Sequence, residues 1–196
     1  MNALAPAPDM PALRPLTADD VRRMVEAGIL DEDERVELVE GALVQMAAKG
    51  FAHDRIKSLL ATLLVRATAA DILVAVEGTL QVSSLTLLEP DILVHPKRAA
   101  VPSPEGFAMV AGNDVLLAVE VAVSSLAYDR GRKARLHARH GVPEYWVVDA
   151  DARRTFVHQG PSGDGYERVE EFGPDALLRP AAPALSGLAV RLADLD

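Results

Sequence analysis

From Val115 to Val123 the chain is an apolar run broken once, by Glu120. Apolar density of this kind predicts a central β-strand over Val115–Val121, covered on both faces. A carboxylate does not sit comfortably in such a strand. Leaving it buried without a partner costs several kcal/mol, so Glu120 needs a cation, a hydrogen-bonding partner or an edge. Asp91 poses the same problem in Glu-Pro-Asp-Ile-Leu-Val, at the head of a second apolar segment. The fold must therefore supply both acids with a polar site, and a divalent metal ion would satisfy the two together.

Around these acids the pattern alternates between helix and strand. Thr17 with Asp20 makes a capping-box start, Val21, Met24 and Val25 follow at helical spacing, and Gly28 provides a stop. Arg35–Val39 and Ala42–Met46 flank Glu40-Gly41 and predict a hairpin. From about His53 to Ala70, Ile56, Leu59, Leu60, Leu63, Leu64 and Ala67 recur at spacings of three and four, which predicts a helix. Strands are expected at Ile72–Val76, Leu80–Ser83 and Ile92–Val94, with a proline-containing loop over 96–113. A further helix is expected from Asp129 to His140, closed by Gly141 and Pro143. Tyr145–Val148 and Thr155–Val157 predict a second hairpin, with Tyr166–Phe172 as an edge strand. Residues 1–15 carry four prolines and little pattern, so the expectation is a flexible N-terminal arm followed by a single domain over 16–196. The element order, with acids on the middle strands, points to an α/β three-layer sandwich with a central mixed sheet flanked by helices.

Composition narrows the chemistry. The chain has no cysteine, which removes disulfides and thiolate metal sites, and it has no apolar run long enough to span a membrane. No secretory signal is evident at the N-terminus, so a cytoplasmic address is expected. A net charge of −9 over 196 residues argues against a broad nucleic-acid-binding surface, so any such contact must be local, as in the basic cluster over 130–139. The five histidines contain no His-Glu-x-x-His pattern, and His137 with His140 is too little for a zinc site. A Gly-rich phosphate loop and a Gly-x-Ser-x-Gly elbow are both missing.

Several ordered segments carry a more specific signal. They are Glu37 in Val-Glu-Leu-Val-Glu-Gly, His53 opening a helix, Pro90-Asp91, Glu120-Val121, Tyr128-Asp129-Arg130-Gly131-Arg132-Lys133, and Gly141-Val142-Pro143-Glu144-Tyr145-Trp146-Val147-Val148-Asp149. Together they resemble the Uma-type family of restriction endonucleases, within the PD-(D/E)XK nuclease superfamily, over roughly residues 17–192. The resemblance implies a restriction-endonuclease-like fold and an endonuclease that uses Mg²⁺, with Mn²⁺ as a substitute. It implies Asp91, Glu120 and the Val121 carbonyl as metal ligands, Lys133 as the lysine that positions water or stabilises charge, and Glu37 as a further acid. It also implies nucleic acid, with DNA as the expected class, as substrate, and a homodimer as the assembly. One departure stands out, because the superfamily's lysine lies two residues after the second acid, where this chain has Ala122. Lys133, on the following helix, would replace it.

Each residue also has a structural reading. Asp91 could cap a turn, Glu120 could pair with an arginine, and Lys133 could sit on a solvated helix face. Glu40 reads as a turn residue and His53 as a structural histidine at a helix end. The competing functional class is a non-catalytic, homodimeric nucleic-acid-binding or regulatory module that keeps the nuclease fold.

Overall fold

A computed structural model describes residues 13–31, 33–163 and 165–195. The expected arm over 1–15 therefore falls mostly outside the described residues. Helix α1 (Ala18–Glu26) opens with the capping box, Thr17 and Asp20 each satisfying the other's backbone amide. Strands β1 (Val36–Val39) and β2 (Ala42–Gln45) form the expected hairpin around Glu40 and Gly41. Helix α2 (Phe51–Ala67) starts two residues before His53 and ends before Ala70. Then come β3 (Ile72–Val76), β4 (Leu80–Ser83), β5 (Thr86–Leu88), β6 (Ile92–Pro96), β7 (Val101–Pro102), β8 (Ala108–Met109) and β9 (Leu117–Ala122). A helical segment follows in three pieces: α3 (Leu126–Tyr128), a π-helical turn (Asp129–Lys133) and α4 (Ala134–His140). Strands β10 (Glu144–Asp149), β11 (Arg154–Ser162) and β12 (Gly165–Phe172) complete the regular elements.

Two six-stranded mixed sheets result. The larger runs β12-β11-β10-β9-β6-β3 and the smaller β2-β1-β5-β4-β8-β7. In the larger sheet β9 and β10 are parallel while the other pairs are antiparallel. β9 lies inside it with all six residues buried, as the apolar run predicted, and β12 is at an edge. The region expected as a loop over 96–113 instead holds β7 and β8, which extend the smaller sheet.

The period of two along each strand sorts the side chains into layers. Leu117, Val119 and Val121 of β9, Ile92 and Val94 of β6, and Trp146 and Val148 of β10 face α2, meeting Ile56, Leu60 and Leu64. Leu178, Leu185, Leu188, Val190 and Leu192 from the C-terminal segment pack into the same layer. On the opposite face Leu93, Ala118, Ala122, Tyr145, Val147 and Phe156 meet Ala134 and Val142. The helical segment is covered on its other side by the smaller sheet, where Val39 and Leu88 pack on Leu136. Leu38 and Leu87 point away, into a cluster with α1. The π turn and α4 are thus wedged between the two sheets, and this arrangement positions the site. Among the described residues no helix is long and apolar enough to cross a membrane.

Candidate active site

Strand parity decides where the acids go. Glu120 alternates with Val119 and Val121, so it shares the face of Ala118 and Ala122 and points toward the helical segment. The β6–β9 ladder pairs Ile92 with Val119, and one further antiparallel step sets Asp91 opposite Glu120. Asp91 does not continue that ladder through its backbone. Its side chain takes over instead, Oδ2 accepting a 2.8 Å hydrogen bond from the Val121 amide. From the smaller sheet, Glu37 shares the parity of Val39, which turns it toward the same helical segment. Its Oε1 accepts from the Glu89 amide at 2.7 Å.

Lys133 enters between the sheets. Its Nζ donates to Glu120 Oε1 at 2.8 Å and lies 3.0 Å from Glu37 Oε1. All three side chains are at most 5% exposed. The π turn makes this reach possible. The Ala134 amide bonds to the carbonyl five residues back, at Asp129, and that carbonyl also accepts from the Tyr145 hydroxyl at 3.1 Å. A π turn inside an α-helix inserts an extra residue and recurs at functional sites. Here Asp129 and Lys133, at its two ends, are both buried toward the acids.

His53 closes the opposite side. Nε2 donates to Asp91, 3.0 Å from Oδ1 and 3.1 Å from Oδ2, while Nδ1 donates to Asp54 Oδ1 at 3.1 Å. Both ring nitrogens face carboxylates, and only the imidazolium can donate from both. Burial alone would lower the His53 pKa, but the hydrogen bonds and charge of Asp91, helped by Asp54, outweigh it and hold it raised. Asp129 belongs to the same group, with Oδ2 accepting from the Ser125 hydroxyl at 2.5 Å.

These groups line a cleft of about 210 Å³, walled also by Met46–Lys49, Val123, Ser124 and Tyr128. Its charges are unevenly placed. At its floor Glu37, Asp91, Glu120 and Asp129 bring four carboxyls against Lys133 and an imidazolium at His53, while the two other cations of the lining bond elsewhere, Lys49 to Glu77 and Arg35 to the Ala47 carbonyl. Burial dominates the titration of the group. Burial pushes Glu120 well above the carboxylate range; Lys133 opposes the shift, and Asp129, Asp91 and Glu37 add to it. Burial raises Asp129 to about 6, against the pull of Lys133. For Lys133 burial acts downward, yet Glu120, Glu37 and Asp129 outweigh it and keep the ammonium charged.

The donor set suits a divalent cation. Asp91 and Glu120 offer hard carboxylate oxygens in one cleft, with Glu37 and Asp129 beside them. Among the described residues no three His, Cys, Asp or Glu side chains form a ready metal cage. Mg²⁺ does not require one, since it usually takes one or two protein carboxylates and keeps several waters.

Of the residues singled out in the sequence, Asp91, Glu120, Val121, Lys133 and Glu37 all line this cleft. Glu40 does not; it is on the hairpin turn, paired with Arg132 and Arg139. His53, expected as structural, bonds directly to Asp91. Asp129 was overlooked, although its place one turn before Lys133 in a basic run was a usable signal. His137 and His140 do not converge: the ring of His137 is buried against Tyr145, with centroids 4.7 Å apart, and His140 Nε2 donates to the Val110 carbonyl.

A family model described as "Putative restriction endonuclease", Uma2, matches residues 19–193. The chain belongs to this family. The crystal structure of a putative nuclease belonging to DUF820 from Anabaena variabilis superposes with a TM-score of 0.72, at 22% identity, covering 92% of this chain and 97% of that one. The α/β architecture with two mixed sheets is therefore shared with that protein. A search of curated proteins gave no match.

Proposed function

We propose that this Uma2-family chain is a divalent-metal-dependent endonuclease that hydrolyses phosphodiester bonds in DNA. The observation that carries the reading is the convergence of Asp91, Glu120 and Lys133, from two strands and a π turn, in one cleft. Asp91 and Glu120, with the Val121 carbonyl, would hold Mg²⁺ or Mn²⁺. Such an ion supplies charge neutralisation at the phosphate and a lowered pKa for water.

The remaining work falls to the protein's own groups. Lys133 is a buried cation fixed by two carboxylates, suited to stabilise charge developing on the phosphate or to orient the attacking water. Glu37 acts on Lys133 rather than on substrate, holding the ammonium toward the acids with its own position set by the Glu89 amide. His53 orients Asp91 and is likewise a positioning residue. The Val121 amide fixes the second Asp91 oxygen, so that carboxylate is pre-organised.

The test is cleavage of supercoiled, linear and single-stranded DNA, and of RNA, with Mg²⁺, Mn²⁺ or EDTA. Metal-dependent nicking or cutting that is lost in Asp91→Asn is expected. DNA binding without cleavage under any metal would instead favour the non-catalytic module.

A further inference from the structure

A second groove, of about 620 Å³, adjoins the acid cleft and shares Ser124, Ser125 and Tyr128 with it. Arg132, Arg135 and Arg139 line its wall. Two of these guanidiniums converge on a single carboxylate, with Arg132 Nη2 2.8 Å from Glu40 Oε2 and Arg139 Nη1 3.1 Å from Glu40 Oε1. Arg135 is exposed in the same groove and has no carboxylate partner among the described residues.

Glu40 reaches this position from the other sheet at a conformational cost. It has φ of 51° and is followed by Gly41 at 84°. Positive φ at both central residues is type I′ hairpin geometry, in which Asn or Asp normally precedes the glycine. A glutamate held in the left-handed region is uncommon and directs attention to what its side chain does. Here it presents two anionic oxygens to two arginines, the pattern by which guanidiniums grip the non-bridging oxygens of a phosphate. The pairs are exposed, so they contribute little to stability and exchange readily. On a chain of net charge −9, this strip is also a local source of attraction for a polyanion next to the cleft.

We propose that Arg132, Arg135 and Arg139 form a subsite for a phosphodiester group flanking the one at the acid cleft. In the free protein Glu40 occupies it as a displaceable stand-in for phosphate. The identity of the ligand rests on the nuclease reading; the pairing of Glu40 with two arginines does not. Glu40 then acts as a screen, since a nucleic acid must displace it to engage the strip.

The experiment is fluorescence anisotropy of a labelled duplex with EDTA present, titrated across a range of salt. Glu40→Gln should tighten binding several-fold, and the slope of log K against log salt should steepen by roughly 1 to 2 as the freed arginines meet phosphates. Glu40→Asn, which suits the left-handed turn, should behave alike and guards against a folding artefact. In an Arg132→Gln/Arg139→Gln background the Glu40 effect should vanish. Unchanged affinity and slope in both Glu40 variants, an effect that persists without the two arginines, or no binding by any variant would each overturn the subsite. Plasmid cleavage by the wild type is scored separately. Cutting with a flat Glu40 response removes the subsite alone, and a Glu40 response without cutting under any metal removes the nuclease reading alone.

Discussion

Lys133 is the buried cation that bridges Glu120 and Glu37, and replacing it by methionine tests their charge balance directly. Methionine keeps an unbranched side chain of similar length, so the packing loss that Lys133→Ala would add is largely avoided. What remains is the removal of one positive charge from between Glu120 and Glu37, both at most 5% exposed. Breaking a buried ion pair by deleting one partner costs about 3–5 kcal/mol, because the remaining charge stays buried. In this structure two carboxylates lose the same partner, which favours the upper part of that range, while the open mouth of the cleft admits water and favours the lower part. A loss of about 3–4 kcal/mol corresponds to a fall of roughly 6–16 °C in melting temperature for a chain of this size.

The pH dependence separates this cause from a packing defect. An acid whose folded pKa is raised carries no penalty below its unfolded pKa, near 4. The penalty grows as pH climbs past that value and is complete above the folded pKa. Glu120 and Asp129 are already raised in the wild type, and without Lys133 both should rise further. The wild-type ammonium stays charged from pH 5 to 8, since its pKa is raised above the ordinary lysine value, so it adds no pH dependence of its own there. Urea unfolding of wild type and Lys133→Met at pH 5 and pH 8 should therefore show a large difference at pH 8 and a much smaller one at pH 5. A difference under about 1 kcal/mol at pH 8, or one equal at both pH values, would refute the reasoning.

Three further outcomes are expected. Asp129→Asn keeps an acceptor for Ser125 and removes an acid lifted from 3.8 to about 6, so it should stabilise the metal-free protein by up to about 3 kcal/mol at pH 8 and by only about 0.5 kcal/mol at pH 4, read by urea unfolding. Millimolar Mg²⁺ or Mn²⁺ should raise the wild-type melting temperature at pH 7.5, and Glu120→Gln should abolish that response; equal shifts in both proteins would place the ion elsewhere. Light scattering at micromolar concentration should give twice the 20.9 kDa chain mass if the protein is a homodimer, and the single-chain mass would remove that proposal.

The parts of the fold that were legible in the sequence are those with a helical period or a continuous apolar run. α1 and α2 carry helical spacing, β3 and β9 are unbroken or once-broken apolar runs, and the two acids stood out because they stand in or at the head of such runs. β5, β7 and β8 are two or three residues long and contain no period at all, so their pairing is a tertiary decision. The segment after Ala176 reads as proline-rich and irregular, yet Leu178, Leu185, Leu188, Val190 and Leu192 bury against the α2 face of the larger sheet. No local pattern announces that, because irregular backbone imposes no repeat on the residues that face inward.

The site was legible in its members more than in its geometry. That Asp91 and Glu120 would meet follows from strand order, and that Glu37 faces inward follows from parity once its sheet is placed. The position of Lys133 does not follow from helical spacing. A straight α-helix turns about 100° per residue, so one inserted residue swings the side chains on either side of it by about that angle. The π turn over Asp129–Lys133 introduces this insertion, held by the Ala134 amide and the Tyr145 hydroxyl on the Asp129 carbonyl. Lys133, at the end of this turn, can therefore reach Glu120 from the opposite wall. The Tyr145 bond thus gains a role beyond packing: it fixes the turn that aims the only lysine in contact with Glu120 among the described residues.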